Sequence, residues 1–233
     1  MKVAILNYTG TVGKTTVAAH LLSPRMNAPV FAIESINETA EGLGVDVEKM
    51  GGNKFRELFR KIMVEDDAII DIGASNIEDF MNNMIKFDDS HDEIDYFLIP
   101  VTSGTKEQKE TILMINSLSE IGIPKEKIKV IFNRVDSDVD EEFPFIIGQY
   151  KKEKNFTLNK DCSIFENELF DALSIKGITV DALLSDDTDY KSLLKNNKDA
   201  SDKERNTWAD MFSLRLLAKG VKRNLDDVYK NLF

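Results

Sequence analysis

The sequence predicts an α/β fold, a mainly parallel β-sheet flanked by helices. Two observations carry that prediction. Short apolar runs alternate with segments of helical period along most of the chain, and the first run feeds a glycine-containing loop that opens a helix. Val3 to Leu6 is a continuous apolar stretch, as expected of a parallel strand buried on both faces. The loop after it carries Gly10 and Gly13-Lys14-Thr15-Thr16, and Val17-Ala18-Ala19-His20-Leu21-Leu22 reads as an amphipathic helical segment ending at Pro24. Val30 to Ile33 is the second strand, ending at Glu34. Phe55 to Met63 is helical, with Phe55, Leu58, Phe59 and Ile62 on one face. Ala68-Ile69-Ile70 is a third strand closed by Asp71 and Gly73. Phe80, Met81, Met84 and Ile85 mark the next helix. Tyr96 to Ile99 is a fourth strand closed by Pro100, and Lys106 to Leu118 a helix with Ile112, Ile115 and Leu118 inward. Ile128 to Phe132 is a fifth strand, ending at Asn133-Arg134. Helices between successive strands imply right-handed crossovers and hence a parallel sheet. Lys195 to Asn206 is the most polar stretch and reads as a solvated loop before a closing helix, 207–233, docked on the core or facing a partner.

Bulk composition narrows the function classes. A chain of 233 residues, 42% of them hydrophobic, can bury a substantial core as one domain spanning 1–233. The single cysteine, Cys162, excludes an internal disulfide and fits a reducing, cytoplasmic compartment. The N-terminus lacks the basic and apolar regions of a signal peptide, and no stretch approaches the roughly 20 apolar residues that span a bilayer. A net charge of -11 argues against nucleic-acid binding through bulk charge.

Strand, glycine loop and helix start together make a phosphate-binding motif credible. Gly10 and Gly13 let the amides of the loop, through Thr11 and Val12, turn inward as a nest around phosphate oxygens. Lys14 reaches the outer phosphates, the Thr15 hydroxyl holds Mg²⁺, and Thr16 continues the helix N-terminus. In such sheets ligands bind at the carboxyl ends of the strands, so the polar residues there belong to one reading. Asp71 is placed to hold Mg²⁺ through a water. Glu34 faces the same metal or orients a water, and reads equally as a solvent-facing strand end. Asn133 can pair with a nucleobase edge through both its donor and its acceptor, and reads equally as a turn residue.

This series resembles the MinD/ParA/Soj group of P-loop ATPases. The loop at 9–16, Ile69-Ile70-Asp71-Ile72-Gly73, Leu98-Ile99-Pro100-Val101 and Ile131-Phe132-Asn133-Arg134 fall in that group's order. Asn7 with the Gly-Lys-Thr-Thr loop, His20-Leu21-Leu22, Pro24-Arg25 and Glu34-Ser35-Ile36-Asn37 are similar to StbB-type plasmid stability proteins. The resemblance implies a P-loop fold with ATP and Mg²⁺ as cofactors. It makes Lys14, Asp71 and Glu34 catalytic, and Thr15 and Asp71 metal-holding. The nucleotide contacts become Gly10 to Thr16, Asn133 and Arg134, with Asn133 on adenine. It implies a nucleotide switch in plasmid stability, partition or conjugative transfer, a homodimer, and a separate DNA-binding partner. A small-molecule enzyme on the same scaffold, a P-loop kinase or a dethiobiotin-synthetase-like ligase, is the alternative.

Two departures bear on mechanism. The group's loop reads K-G-G-x-G-K-[ST]-[ST], and here Thr9 stands at the signature lysine and Thr11 at a glycine. That lysine reaches a partner's phosphates across a nucleotide-sandwiched dimer, so ATP-driven dimerisation is expected to be weak and hydrolysis slow, unless Arg134 or Lys106 takes the role. The group's Asp-x-Asp is Glu34-Ser35-Ile36 here. The remaining features read more plainly. His20 is a packing residue, His91 lies in a solvated acidic turn, and Asp136 to Glu142 lacks the glycine and spacing of a calcium loop. Trp208, Met211, Phe212 and Leu216 form a docking stripe. Arg215, Lys219, Lys222 and Arg223, with apolar residues between them, read as the solvated face of a docked helix or as a surface for DNA or membrane.

Overall fold

The computed structural model describes residues 1–33, 40–51 and 54–233. Seven parallel strands form one sheet in the order β3-β2-β4-β1-β5-β6-β7. They are β1 (Lys2–Ile5), β2 (Val30–Ile33), β3 (Val47–Met50), β4 (Ala68–Ile72), β5 (Tyr96–Val101), β6 (Ile128–Val135) and β7 (Ser163–Phe165). Strand alternation splits the apolar residues between two faces. Ala4, Phe31, Ile70, Phe97, Val130 and Phe132 face a core closed by α3 (Phe55–Ile62), α4 (Ile77–Lys86), α5 (Thr105–Glu120), the short α6 (Val139–Glu142) and α7 (Pro144–Glu153). Val3, Ile5, Ile69, Leu98 and Ile131 face a second core. That one is closed by the helix after the glycine loop, by α8 (Leu169–Lys176), α9 (Val180–Ser185) and α11 (Asp202–Leu232). Each fully buried Phe, Leu or Ile side chain contributes roughly 1.5–3 kcal/mol. Burial on both faces explains why the central strands read as unbroken apolar runs.

The edge strands β3 and β7 carry no such signal. β3 has the sequence VEKM, with two exposed charged residues in its middle, and β7 is three residues long. The helix after the loop also departs from expectation. It starts as α1 (Lys14–Thr16), widens into a π-helical segment (Val17–Leu22) and continues as α2 (Ser23–Met26) through Pro24, to end at Asn27 with φ 49°. Pro24 lacks an N–H and falls in the first turn after the π segment, where its ring continues the helix without a break. All six π-segment residues are buried, because the helix lies under α11 and α8 instead of at the surface.

Several local readings shift by one face or one turn. Ile85 is 59% exposed, whereas Phe80, Met81 and Met84 are buried, since α4 turns only that stripe inward. The polar 195–206 stretch is not one loop. Its first residues end α10 (Tyr190–Asn196), and α11 begins at Asp202 behind a capping box in which Ser201 and Glu204 bond each other's backbone N–H. The buried face of α11 is Leu214, Ala218, Val221, Leu225, Val228 and Leu232, on a helical period. Leu216, expected in the docking stripe, is 54% exposed, and Trp208, Met211 and Phe212 are half-buried. No helix among the described residues is long and apolar enough to cross a membrane.

Candidate functional site

β1 is the central strand, and its carboxyl end delivers the loop to the middle of the sheet edge. Asn7, fully buried, fixes the take-off. Its Nδ2 donates to the Pro100 carbonyl at 2.9 Å and to Thr111 Oγ1 at 2.6 Å, and its Oδ1 accepts the Thr9 N–H at 3.3 Å. The loop is thereby tied to the end of β5 and to α5. Sequence reasoning passed over Thr111 and gave Asn7 no contact. The available signal was a polar residue directly after a buried strand, where an unpaired amide would be costly.

At the far end of the loop Gly13 has φ 85°, a left-handed conformation in which a side chain is strained. Its carbonyl accepts the Val17 N–H at 3.0 Å, so the turn hands the chain straight into the helix. Asn133, buried at the end of β6, lies against it. A Cβ on Gly13 would stand 2.2 Å from Asn133 Nδ2, and that same nitrogen donates to the Val12 carbonyl at 2.9 Å. Asn133 Oδ1 accepts no hydrogen bond from a described residue. The loop is thus clamped by one buried asparagine at its start and another at its end.

Lys14 is buried, and its ammonium donates to the carbonyls of Thr9 at 2.7 Å and Asn7 at 3.3 Å. Thr9, at the place of the signature lysine, is itself buried. Thr15 Oγ1 donates to Asp71 Oδ2 at 3.4 Å, which brings helix start and strand end together. Asp71 sits in register with Ile5 of β1 and Ala32 of β2, on the face that carries the helix. A hydroxyl and a carboxylate are hard oxygen donors. Mg²⁺ commonly takes one or two such protein ligands and completes its shell with water and phosphate. The pair fits that ion. Glu34 lies outside the described residues.

The loop opens onto a cavity of about 900 Å³. Gly10, Thr11, Gly13, Lys14, Thr15 and Thr16 form one wall, and Asn133 and Arg134 the second. A third wall runs along the helix and the β7–α8 connection, with His20, Phe165, Asn167, Phe170 and Asp171. That third wall was not legible in the sequence, because β7 is too short to register as a strand. His20 packs on the Phe170 ring at 5.5 Å, and its Nδ1 accepts the Val180 N–H at 3.3 Å. Burial pushes its pKa down to about 4, against the opposing pull of Asp181. Packing is its role, as its sequence setting implied, but it also lines the cavity. Cys162 is buried, its thiol pushed up to about 11 by burial.

Other expected features stay apart from this site. Lys106 lies on α5, exposed and paired with Glu110 at 3.6 Å. The acidic 136–142 loop closes on itself: the Glu142 carboxylate accepts the N–H groups of Asp136, Ser137 and Asp138, which hold its pKa below the usual range despite an opposing desolvation effect. Among the described residues no group of three or more His, Cys, Asp or Glu is placed to hold a metal ion. Half of the basic face of α11 is spent internally. Arg215 pairs with Asp186 at 3.1 Å and stacks on Tyr190, and Lys222 pairs with Asp181 at 3.4 Å and Asp226 at 3.2 Å. Lys219 and Arg223 remain as its exposed cations.

An all-parallel sheet whose central strand feeds a left-handed glycine turn, a lysine and a Thr–Asp pair defines a class: the P-loop fold of the MinD/ParA type. Solved structures agree. The Pyrococcus furiosus cell division ATPase MinD aligns over 98% of each chain with a TM-score of 0.58 at 16% identity. The ATP complex of a Cyanothece McdA variant aligns over 97% of this chain and 96% of its own, with a TM-score of 0.53 at 16% identity. The Mg-ADP complex of Pyrococcus horikoshii MinD covers 76% of this chain and 86% of its own, with a TM-score of 0.50 at 16% identity. No protein-family model matches the sequence, and no curated protein matches it.

Proposed function

We propose that this chain is a ParA/MinD-like ATPase of low turnover, a nucleotide switch that holds Mg²⁺-ATP on the 9–16 loop. The observation that carries the reading is the Thr15–Asp71 pair at 3.4 Å beside Lys14 at a left-handed Gly13 turn. Lys14 supplies charge to the outer phosphates. Thr15 and Asp71 would hold Mg²⁺, which neutralises phosphate charge when bound. The similarity to structures solved with ATP and with Mg-ADP supports the same ligands here. By resemblance to StbB-type proteins, we place the switch in plasmid stability, partition or conjugative transfer. With a net charge of -11, it works through a separate DNA-binding protein. Titration calorimetry with ATP, ADP and GTP, with and without Mg²⁺, tests the ligand. Absence of Mg²⁺-dependent ATP binding refutes it.

Asn133 is assigned the choice of base. One of the two Nδ2 hydrogens is given to Val12, and Oδ1 accepts from no described residue; that acceptor, set against a base edge, favours the amino group of adenine over the O6 acceptor of guanine. Asn133→Ala is expected to lower affinity for both nucleotides, since the loop loses a clamp, and to bring the ATP/GTP ratio close to one. A ratio unchanged from wild type in competition titrations removes Asn133 from base recognition.

Thr9 cannot place a positive charge on a partner's phosphates. The sedimenting mass is therefore expected to change little when ATP and Mg²⁺ are added, any dimer being held by other surface contacts. Thr9→Lys, whose stem must leave the buried site of Thr9, restores a charge able to cross an interface and is expected to make association depend on ATP. Analytical ultracentrifugation of both proteins decides the matter. A wild type that passes cleanly from monomer to dimer on ATP contradicts the expectation.

A further inference from the structure

We propose that Arg134, expelled from β6 by a β-bulge, is a phosphate-binding residue that supplies within one protomer the second cation missing at Thr9. This inference rests on the nucleotide reading above: the resemblance counts Arg134 among the nucleotide contacts, and the bulge assigns it to the phosphates within one protomer.

The bulge is visible in the register. Asn133 pairs with Ile164 and Val135 with Phe165, so Arg134 has no counterpart on β7. Along β6, Ile128, Val130 and Phe132 point into one core, and strict alternation would send residue 134 there as well. Instead Val135 takes that place, 1% exposed, while Arg134 stands in solvent with φ 55°. A bulge with its first residue in the left-handed region is the kind glycine fills most easily, and an arginine there is sterically disfavoured. Bulges of this kind re-aim a side chain at a strand end.

Nothing within the fold employs the side chain so presented. Among the described residues the Arg134 side chain makes no hydrogen bond, ion pair or ring contact. It does line the cavity of the phosphate loop, one residue from Asn133, which touches the loop at Val12 and Gly13. A guanidinium offers five donors in a planar fork that matches phosphate oxygens two at a time. Lys106 is on α5, paired with Glu110, and does not line this cavity; Lys49 of β3 does line it, but from the β3 edge, away from Asn133 and the bulge. Lys14 and Arg134 thus present two positive charges to one ligand from two walls of the same cavity, with no partner subunit required.

The test uses Arg134→Gly, Arg134→Lys and wild type as full chains. Binding of Mg²⁺-ATP and of adenosine is measured by calorimetry, together with the melting temperature of each protein without ligand. Arg134→Gly is expected to bind Mg²⁺-ATP about tenfold more weakly, the loss of one charge-assisted contact. It should bind adenosine as wild type does, and melt at the same temperature or higher, because glycine relieves the left-handed strain. Arg134→Lys should fall between the two in ATP affinity. Equal ATP affinity in wild type and Arg134→Gly overturns the inference alone. So does a parallel loss of ATP affinity, adenosine affinity and melting temperature, which would mark a structural role. A wild type that binds no ATP overturns the nucleotide reading, and this inference with it.

Discussion

Lys14→Ala is expected to weaken Mg²⁺-ATP binding by about tenfold to a hundredfold. The ammonium sits buried at the loop, bonded to the carbonyls of Thr9 and Asn7, within the ring of backbone that a phosphate chain would enter. A charge-assisted hydrogen bond contributes roughly 1.5–3 kcal/mol, and each 1.4 kcal/mol is a factor of ten in affinity. Alanine also leaves two loop carbonyls without their donor, so the loss combines a missing phosphate contact with a looser loop. Calorimetry on the variant, with its circular dichroism and melting curve as controls on folding, gives the number. Unchanged affinity in a folded variant would remove Lys14 from the phosphate site.

The second large effect is on stability in mild acid. His20 is buried against Phe170, and its pKa lies near 4 instead of 6.5 because burial disfavours the charged ring. The unfolded chain therefore takes up a proton first as pH falls, so its contribution is complete above about pH 6.5 and is lost on the way down to pH 4. Each unit of difference is 1.36 kcal/mol, so the loss amounts to roughly 3 kcal/mol. Below about pH 4.5 carboxylates such as Glu142 and Asp226, whose pKa values are lowered on balance, add to it as they protonate. Denaturant melts at pH 7, 5.5 and 4.5 on wild type and His20→Gln isolate the histidine. The wild type should lose stability between pH 6.5 and 4.5 and the glutamine variant much less. Equal slopes in the two proteins would show that His20 does not titrate as described. Since His20 lines the cavity and holds the start of α9 through Val180, the same protonation should loosen the third wall of the site.

Legibility in the sequence followed burial. β1, β2, β4, β5 and β6 lie inside the sheet with helices on both faces, and their unbroken apolar runs could not be mistaken for surface elements. β3 and β7 are the two edges, and there the local pattern is weak. One edge carries two adjacent exposed charges between apolar ends and so shows neither an apolar run nor a period of two, and the other is too short to show a period. The beginning of α11 was missed for a different reason. Ser201 and Glu204 form a capping box inside a stretch whose polarity reads as loop, and composition outweighed the cap.

The amino-acid sequence by itself determined the parallel α/β architecture and the glycine loop between β1 and its helix, and it offered Lys14, Thr15 and Asp71 as the candidate chemistry-bearing groups. Those properties are local: they follow from apolar periodicity, from residues spaced within one turn of the loop, and, for Asp71, from a polar residue closing an apolar run. Only the tertiary structure decided which distant groups complete the site. It buried Asn7 against Pro100 and Thr111, set Asn133 under Gly13, and brought the β7–α8 connection and His20 round as a third wall. It spent Arg215 and Lys222 on internal ion pairs and turned Arg134 into the cavity at a bulge. Contacts between segments distant along the chain depend on how strands and helices order around the sheet, and no local pattern carries that order.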